Sequence, residues 1–86
     1  MFWKRKARKF QERIIITLPE DFDEATKYKR AVNRYLCEHH SGDLYSGRIA
    51  YGCTYYNPTE YIELLIDEKC NLNLHAMFEY VNDSRD

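Results

Sequence analysis

The stretch Arg13-Ile14-Ile15-Ile16-Thr17-Leu18-Pro19 constrains this chain more than any other. A β-branched run suits a pleated, half-buried surface, and a proline without an N–H cannot extend a ladder, so a buried strand with a sharp end is expected here. A helix signal follows at once. Asp21 offers an N-cap oxygen and Glu24 stands three residues on, the spacing of a capping box with Asp as cap. Phe22, Ala25, Tyr28, Val32, Tyr35, Leu36 and His39 then recur at three and four, lining one helix face for about five turns. Ser41-Gly42 supplies a glycine for the left-handed stop.

Beyond a loop at 45–47, Arg48 to Tyr56 alternates Ile49, Tyr51, Cys53 and Tyr55 against Ala50, Gly52, Thr54 and Tyr56, which predicts a second strand. Gly52 inside it suggests a bulge or a close backbone approach. Asn57-Pro58-Thr59-Glu60 admits two outcomes. As a type I turn with Asn first and Pro second it joins a hairpin returning over Tyr61 to Asp67; as a helix start it caps a stripe of Tyr61, Ile62, Leu65 and Ile66. The hairpin is preferred, because a lone second strand needs a neighbour. Leu74, Met77, Phe78 and Val81 have helical spacing, and Asn73 is placed to cap them.

The expected class is therefore α+β: a small, single-layer antiparallel or mixed sheet covered by two helices in the order β-α-β-β-α, with β-α-β-α-α as the alternative. First and third strands side by side would make it an open split-βαβ layout. An 86-residue chain holds one core. Residues 1–12 form a basic arm, 13–81 the domain and 82–86 a polar tail.

Charge is divided unevenly under a net value of -1: ten Lys and Arg against five Asp and Glu from Met1 to Arg34, then three against nine from Tyr35 to Asp86. Such polarity suits an intramolecular charge match, a homodimer pairing unlike halves, or two faces for different partners. Cys37, Cys53 and Cys70 are far apart and odd in number, as expected of reduced thiols in the cytoplasm, a host's if the chain is viral. The basic N-terminus has no apolar run behind it, and no stretch approaches the roughly 20 apolar residues of a membrane span.

Three groups of side chains carry the functional expectations. Tyr51, Tyr55, Tyr56 and Tyr61 are candidate anchors for a protein partner, since tyrosine brings large, rigid contact area at low entropic cost. Lys4, Arg5, Lys6, Arg8 and Lys9 with Lys27, Arg30 and Arg34 are candidate phosphate contacts, with Phe2, Trp3 or Phe10 available to stack on bases. Glu60, Glu63, Asp67 and Glu68 would make an acidic ridge if their segment were helical. Cys37, His39 and His40, with Cys70 and His75, are metal-ligand types without paired spacing, so no metal site is expected. Neither a nucleophile constellation nor a phosphate-binding glycine run is visible, so no enzyme and no cofactor are expected.

The function expected is that of a small non-enzymatic regulatory protein that binds and modulates a larger protein or complex, as the inhibitors and accessory factors of phages and mobile elements do. The alternative is a nucleic-acid binder using the arm and the basic face of the first helix.

Overall fold

Side-chain alternation along three short strands decides the architecture of this computed structural model, which describes the backbone of residues 10–84 and the side chains of residues 12–84. Strand β1 is Phe10–Thr17, β2 is Ile49–Tyr56 and β3 is Thr59–Asp67. They form one antiparallel sheet in the order β1-β3-β2, so β1 and β2 run parallel with β3 between them. First and third strands are thus neighbours, as a split-βαβ layout requires.

Ile14, Ile16, Ile62, Leu64, Ile66 and Ile49 point to one side, where they meet Ala25, Ala31, Val32, Tyr35 and Leu36 of helix α1 (Phe22–His39) and Met77 and Val81 of helix α3 (Leu74–Ser84) in a single core. Val32, Leu36, Ile62, Leu64, Met77 and Val81 are fully sealed from water. Each such side chain contributes roughly 1.5–3 kcal/mol by leaving water, so this cluster dominates what holds helices to sheet.

Capping follows the sequence closely. Asp21 takes the N-cap of α1 and its side chain accepts from the Glu24 N–H at 2.9 Å. Asn73 does the same for α3, its Oδ1 accepting from the Ala76 N–H at 3.0 Å. Each cap satisfies an N–H that the helix itself leaves open, at about 1 kcal/mol.

The hairpin forms and the helical alternative for 58–69 does not, because β3 pairs on both sides and its alternation buries Ile62, Leu64 and Ile66 in turn. The turn differs from expectation. Pairing closes up to Tyr56 and Thr59, which puts Pro58 third in the turn with a cis Asn57–Pro58 peptide, the arrangement of type VI and not type I.

The stop of α1 also differs. The helix ends at His39, His40 caps it through its N–H to the Leu36 carbonyl at 2.8 Å, and the chain enters a further short helix, α2 (Ser41–Ser46), where a loop at 45–47 was expected. Gly42 lies inside α2; the left-handed glycine is Gly47, at φ 83°, which ends it. Phe22, expected in the buried stripe, is 78% exposed, and Ala31 takes a buried place that the three-and-four spacing passed over.

Strand β1 starts three residues before Arg13, with an irregular register between Phe10 and Glu12, and α3 runs on to Ser84. Among the described residues no helix is long and apolar enough to cross a membrane.

Candidate binding face

Both long helices sit on one side of the sheet, so the other side carries the residues that alternate with the core. Directly paired residues share a face, and the register gives its rows: Arg13, Leu65 and Ala50; then Ile15, Glu63 and Gly52; then Thr17, Tyr61 and Thr54, with Tyr56 opposite Thr59 at the turn. Among the described residues nothing covers it. Ile15 is 47% and Tyr56 69% exposed, and a Cβ built on Gly52 would meet no atom within 4 Å.

Arg13, Ile15, Thr54, Tyr56, Tyr61 and Glu63 line a shallow depression of about 340 Å³ on this face. Tyr56 and Tyr61 form one wall, ring centroids 6.1 Å apart and nearly edge to face, so each holds the other's orientation. Ile15 stands on the opposite strand. The Arg13 guanidinium bonds the Glu63 carboxylate across β1 and β3, leaving the charge of the face balanced. Thr54 of β2 completes the lining, and Ala50 and Gly52 continue the same face as small residues.

Gly52 therefore has a different setting from the one its position suggested. Pairing is regular from Ile49 to Tyr56, without a bulge, and neither a positive φ nor a close backbone approach requires glycine there. Glycine inside a strand weakens it by roughly 0.5–1 kcal/mol relative to alanine. No contact among the described residues explains the choice.

The four candidate tyrosines do not share a surface. Tyr51 faces the helices, half-buried, with Cys53 Sγ 3.8 Å from its hydroxyl; burial first and that contact second push its ionisation well above the ordinary tyrosine range. Tyr55 also lies on the helix side, beside the first turns of α1, and is 61% exposed. There it lines a second depression, of about 410 Å³, with Pro19, Phe22, Lys29, Pro58 and Glu60, and its hydroxyl bonds Asn57 Oδ1 at 3.0 Å. Only Tyr56 and Tyr61 belong to the bare face.

The basic candidates are divided as well. Lys27, Arg30 and Arg34 lie on the exposed side of α1, turned away from the sheet and so on the far side of the molecule from the two tyrosines. Lys27 pairs with Glu24 at 4.0 Å, while Arg30 and Arg34 have no ionic partner among the described residues. Lys4, Arg5, Lys6, Arg8 and Lys9, with Phe2 and Trp3, lie outside the described residues. The acidic ridge is dispersed by the strand: Glu63 lies on the bare face, Glu60 pairs with Lys29 at 2.9 Å on the helix side, and Asp67 is buried. Arg13–Glu63 and Lys29–Glu60 join the basic and acidic halves within one chain.

Of the metal-ligand types, Cys37 and His75 are exposed and His39 stacks on Tyr35 at 4.6 Å. His40 and Cys70 do come together, about Asp43, which sequence spacing did not single out. His40 Nδ1 donates to Asp43 Oδ2 at 2.9 Å and the Cys70 thiol to the same oxygen at 3.6 Å. The hydrogen bond from His40 is the main reason that the Asp43 carboxyl sits below its ordinary range; burial and then the Asp43 charge push the Cys70 thiol above its own. A thiol held protonated in this way is a poor nucleophile.

Sequence reasoning missed Arg13, Ile15 and Thr54 as site residues and assigned Glu63 to an acidic ridge instead of this face. Their signal was present in the alternation of Ile14 and Ile16 against Arg13, Ile15 and Thr17, once the buried side was known. No family model, curated protein or solved structure matches the chain.

Proposed function

We propose that this chain is a small, non-enzymatic regulatory protein that docks on a larger protein through the bare face of its sheet. The observation that carries this is the depression walled by Ile15, Tyr56 and Tyr61, on a face shared with Leu65 and the small residues Ala50, Gly52 and Thr54, on a sheet whose other face carries both long helices. Interface centres are rich in aromatic residues and poor in net charge, and the Arg13–Glu63 pair keeps this patch neutral.

Strands stand about 4.8 Å apart, so the three span roughly 10 Å, the diameter of one helix. The small β2 side chains let such an element approach closely. The occupant that fits is the apolar face of a partner's helix, which would complete a helix-sheet-helix sandwich and bury surface that layered domains normally bury themselves. The inhibitors and accessory factors of phages and mobile elements are the class of protein to which such a domain would belong.

The charge distribution disfavours the nucleic-acid alternative at this face. A stacking platform binds single strands when free cations line the same groove, whereas here Arg13 beside the tyrosines is paired with Glu63 and Arg30 and Arg34 lie behind the helical layer.

The test is comparative capture. Proteins retained from a lysate by the wild-type chain are compared with those retained by Ile15→Lys with Tyr61→Ala, and by Arg30→Glu with Arg34→Glu, each checked for native circular dichroism. Loss of specific protein partners in the first variant only supports docking on the bare face. Loss only in the second, or retention of nucleic acid that ~200 mM salt removes, contradicts it. Sedimentation at several concentrations distinguishes a second copy of this chain from a foreign partner.

A further inference from the structure

Where α1 meets α2, the chain turns at His40, and the loop after β3 brings Cys70 against that corner. One ligand atom from each of His40, Asp43 and Cys70 lies within 4.8 Å of the other two, with the His40 and Asp43 side chains only 14% and 22% exposed. The remaining carboxylate oxygen, Asp43 Oδ1, faces Arg48 Nη1 at 3.6 Å. We propose that His40, Asp43 and Cys70 bind one zinc ion, with water in the fourth position, and that the ion clamps the β3–α3 loop to the α1–α2 corner.

The donor set is the first reason. One imidazole nitrogen, one carboxylate oxygen and one thiolate are ligands that Zn²⁺ accepts together, and magnesium or calcium would not select a thiolate. The second reason is size. Bonds of about 2.0–2.3 Å put tetrahedral ligand atoms about 3.3–3.8 Å apart; here Asp43 Oδ2 stands 2.9 Å from His40 Nδ1 and 3.6 Å from Cys70 Sγ, and the three residues offer ligand atoms within 4.8 Å of one another. Side-chain movements of about an ångström would therefore admit the ion.

Charge is the third. Without metal, the Nδ1 hydrogen and the thiol hydrogen both point at one carboxylate oxygen. On binding, His40 shifts to the tautomer protonated at Nε2, freeing the Nδ1 lone pair, and Cys70 releases its proton to solvent. Thiolate and carboxylate then balance the dication, and Arg48 holds the second carboxylate oxygen so that Asp43 binds through one atom. A catalytic use of Cys70 fits less well, because the group against its sulfur is a carboxylate, which opposes thiolate formation unless a cation intervenes.

Cobalt(II) titration of the metal-free full chain, followed by absorbance, tests this directly. One equivalent is expected to give a thiolate-to-cobalt charge-transfer band that zinc abolishes. The band should be absent in Cys70→Ser and retained in Cys37→Ser and Cys53→Ser, whose thiols are exposed elsewhere. Because Cys70→Ser could impair folding, alkylation of the wild-type chain supplies a second readout. Zinc should slow labelling of Cys70 at least tenfold and leave Cys37 and Cys53 unchanged. A missing band, a band that survives Cys70→Ser, or equal labelling of Cys70 with and without zinc overturns the proposal.

Discussion

Gly52 concentrates the case for an external partner in a single position. Its φ is ordinary, its pairing regular and the space at its Cβ empty, so a β-branched side chain should be accommodated by the chain alone. Gly52→Val is expected to raise stability by about 1 kcal/mol, a rise of roughly 4–8 °C in Tm for a domain of this size, measured by thermal unfolding. A fall would mean that a segment outside residues 10–84 fills that space. Tyr51 sets the opposite kind of test. Burial raises its pKa above the ordinary tyrosine value of 10.0, so its contribution to stability is complete below pH 10 and is lost as pH climbs through the higher native value. In a spectrophotometric titration Tyr51→Phe should leave the phenolate absorbance of the native protein unchanged, its loss appearing only in the step that accompanies alkaline unfolding. Early loss of that signal would place Tyr51 in water.

At the scale of elements, strand β3 carries two unequal faces, and the difference should appear in mutational cost. Ile62 is fully buried between the helices and the sheet, so Ile62→Val is expected to cost about 0.5–1.5 kcal/mol and Ile62→Ala about 2–5 kcal/mol, by urea unfolding. Ile15→Ala on the bare face should cost under about 1 kcal/mol, since nearly half of that side chain is already in water. Comparable losses at Ile15 and Ile62 would show that both faces are packed. Most of these elements were legible in the sequence, for a local reason: caps at Asp21 and Asn73, the three-and-four spacing of α1 and the alternation of Ile62, Leu64 and Ile66 are read within one segment. What escaped was decided between segments. Gly42 and Gly47 are equally able to adopt a left-handed conformation, and the docking of Leu44 on the core and pairing at Ile49 select the later one. The face of β2 that receives helices is likewise fixed by register with β3, so that its tyrosines divide between the two sides.

For the whole molecule, the basic and acidic halves are partly reconciled within the chain by Arg13–Glu63 and Lys29–Glu60. Pairs exposed to this degree are worth about 0–1 kcal/mol, so they adjust the surface more than they hold the fold. The candidate site was less legible than the fold. Tyr56 and Tyr61 could be named from their residue type, but Arg13 and Glu63 become partners only through the β1–β3 register, and Asp43, Cys70 and His40 meet only because β3 returns the chain to the α1–α2 corner. Affinity for generic DNA or RNA is expected to be weak and confined to low salt, since Arg30 and Arg34 lie in the layer opposite the aromatic wall and Arg13 beside it is paired with Glu63. Tight binding at ~50 mM salt that falls steeply by ~200 mM and disappears with deletion of Met1 to Lys9 would favour the basic arm as the working surface.

The most direct measurement is solvent labelling of the bare face in the presence of a captured partner, by hydrogen exchange across β1 and β3 and by oxidative footprinting of Tyr56 and Tyr61. Docking through this face predicts slower footprinting of both tyrosines, with Tyr45 and the exposed side of α1 unchanged. Protection confined to Arg30, Arg34 and their neighbours, with Tyr56 and Tyr61 still fully reactive, would contradict it.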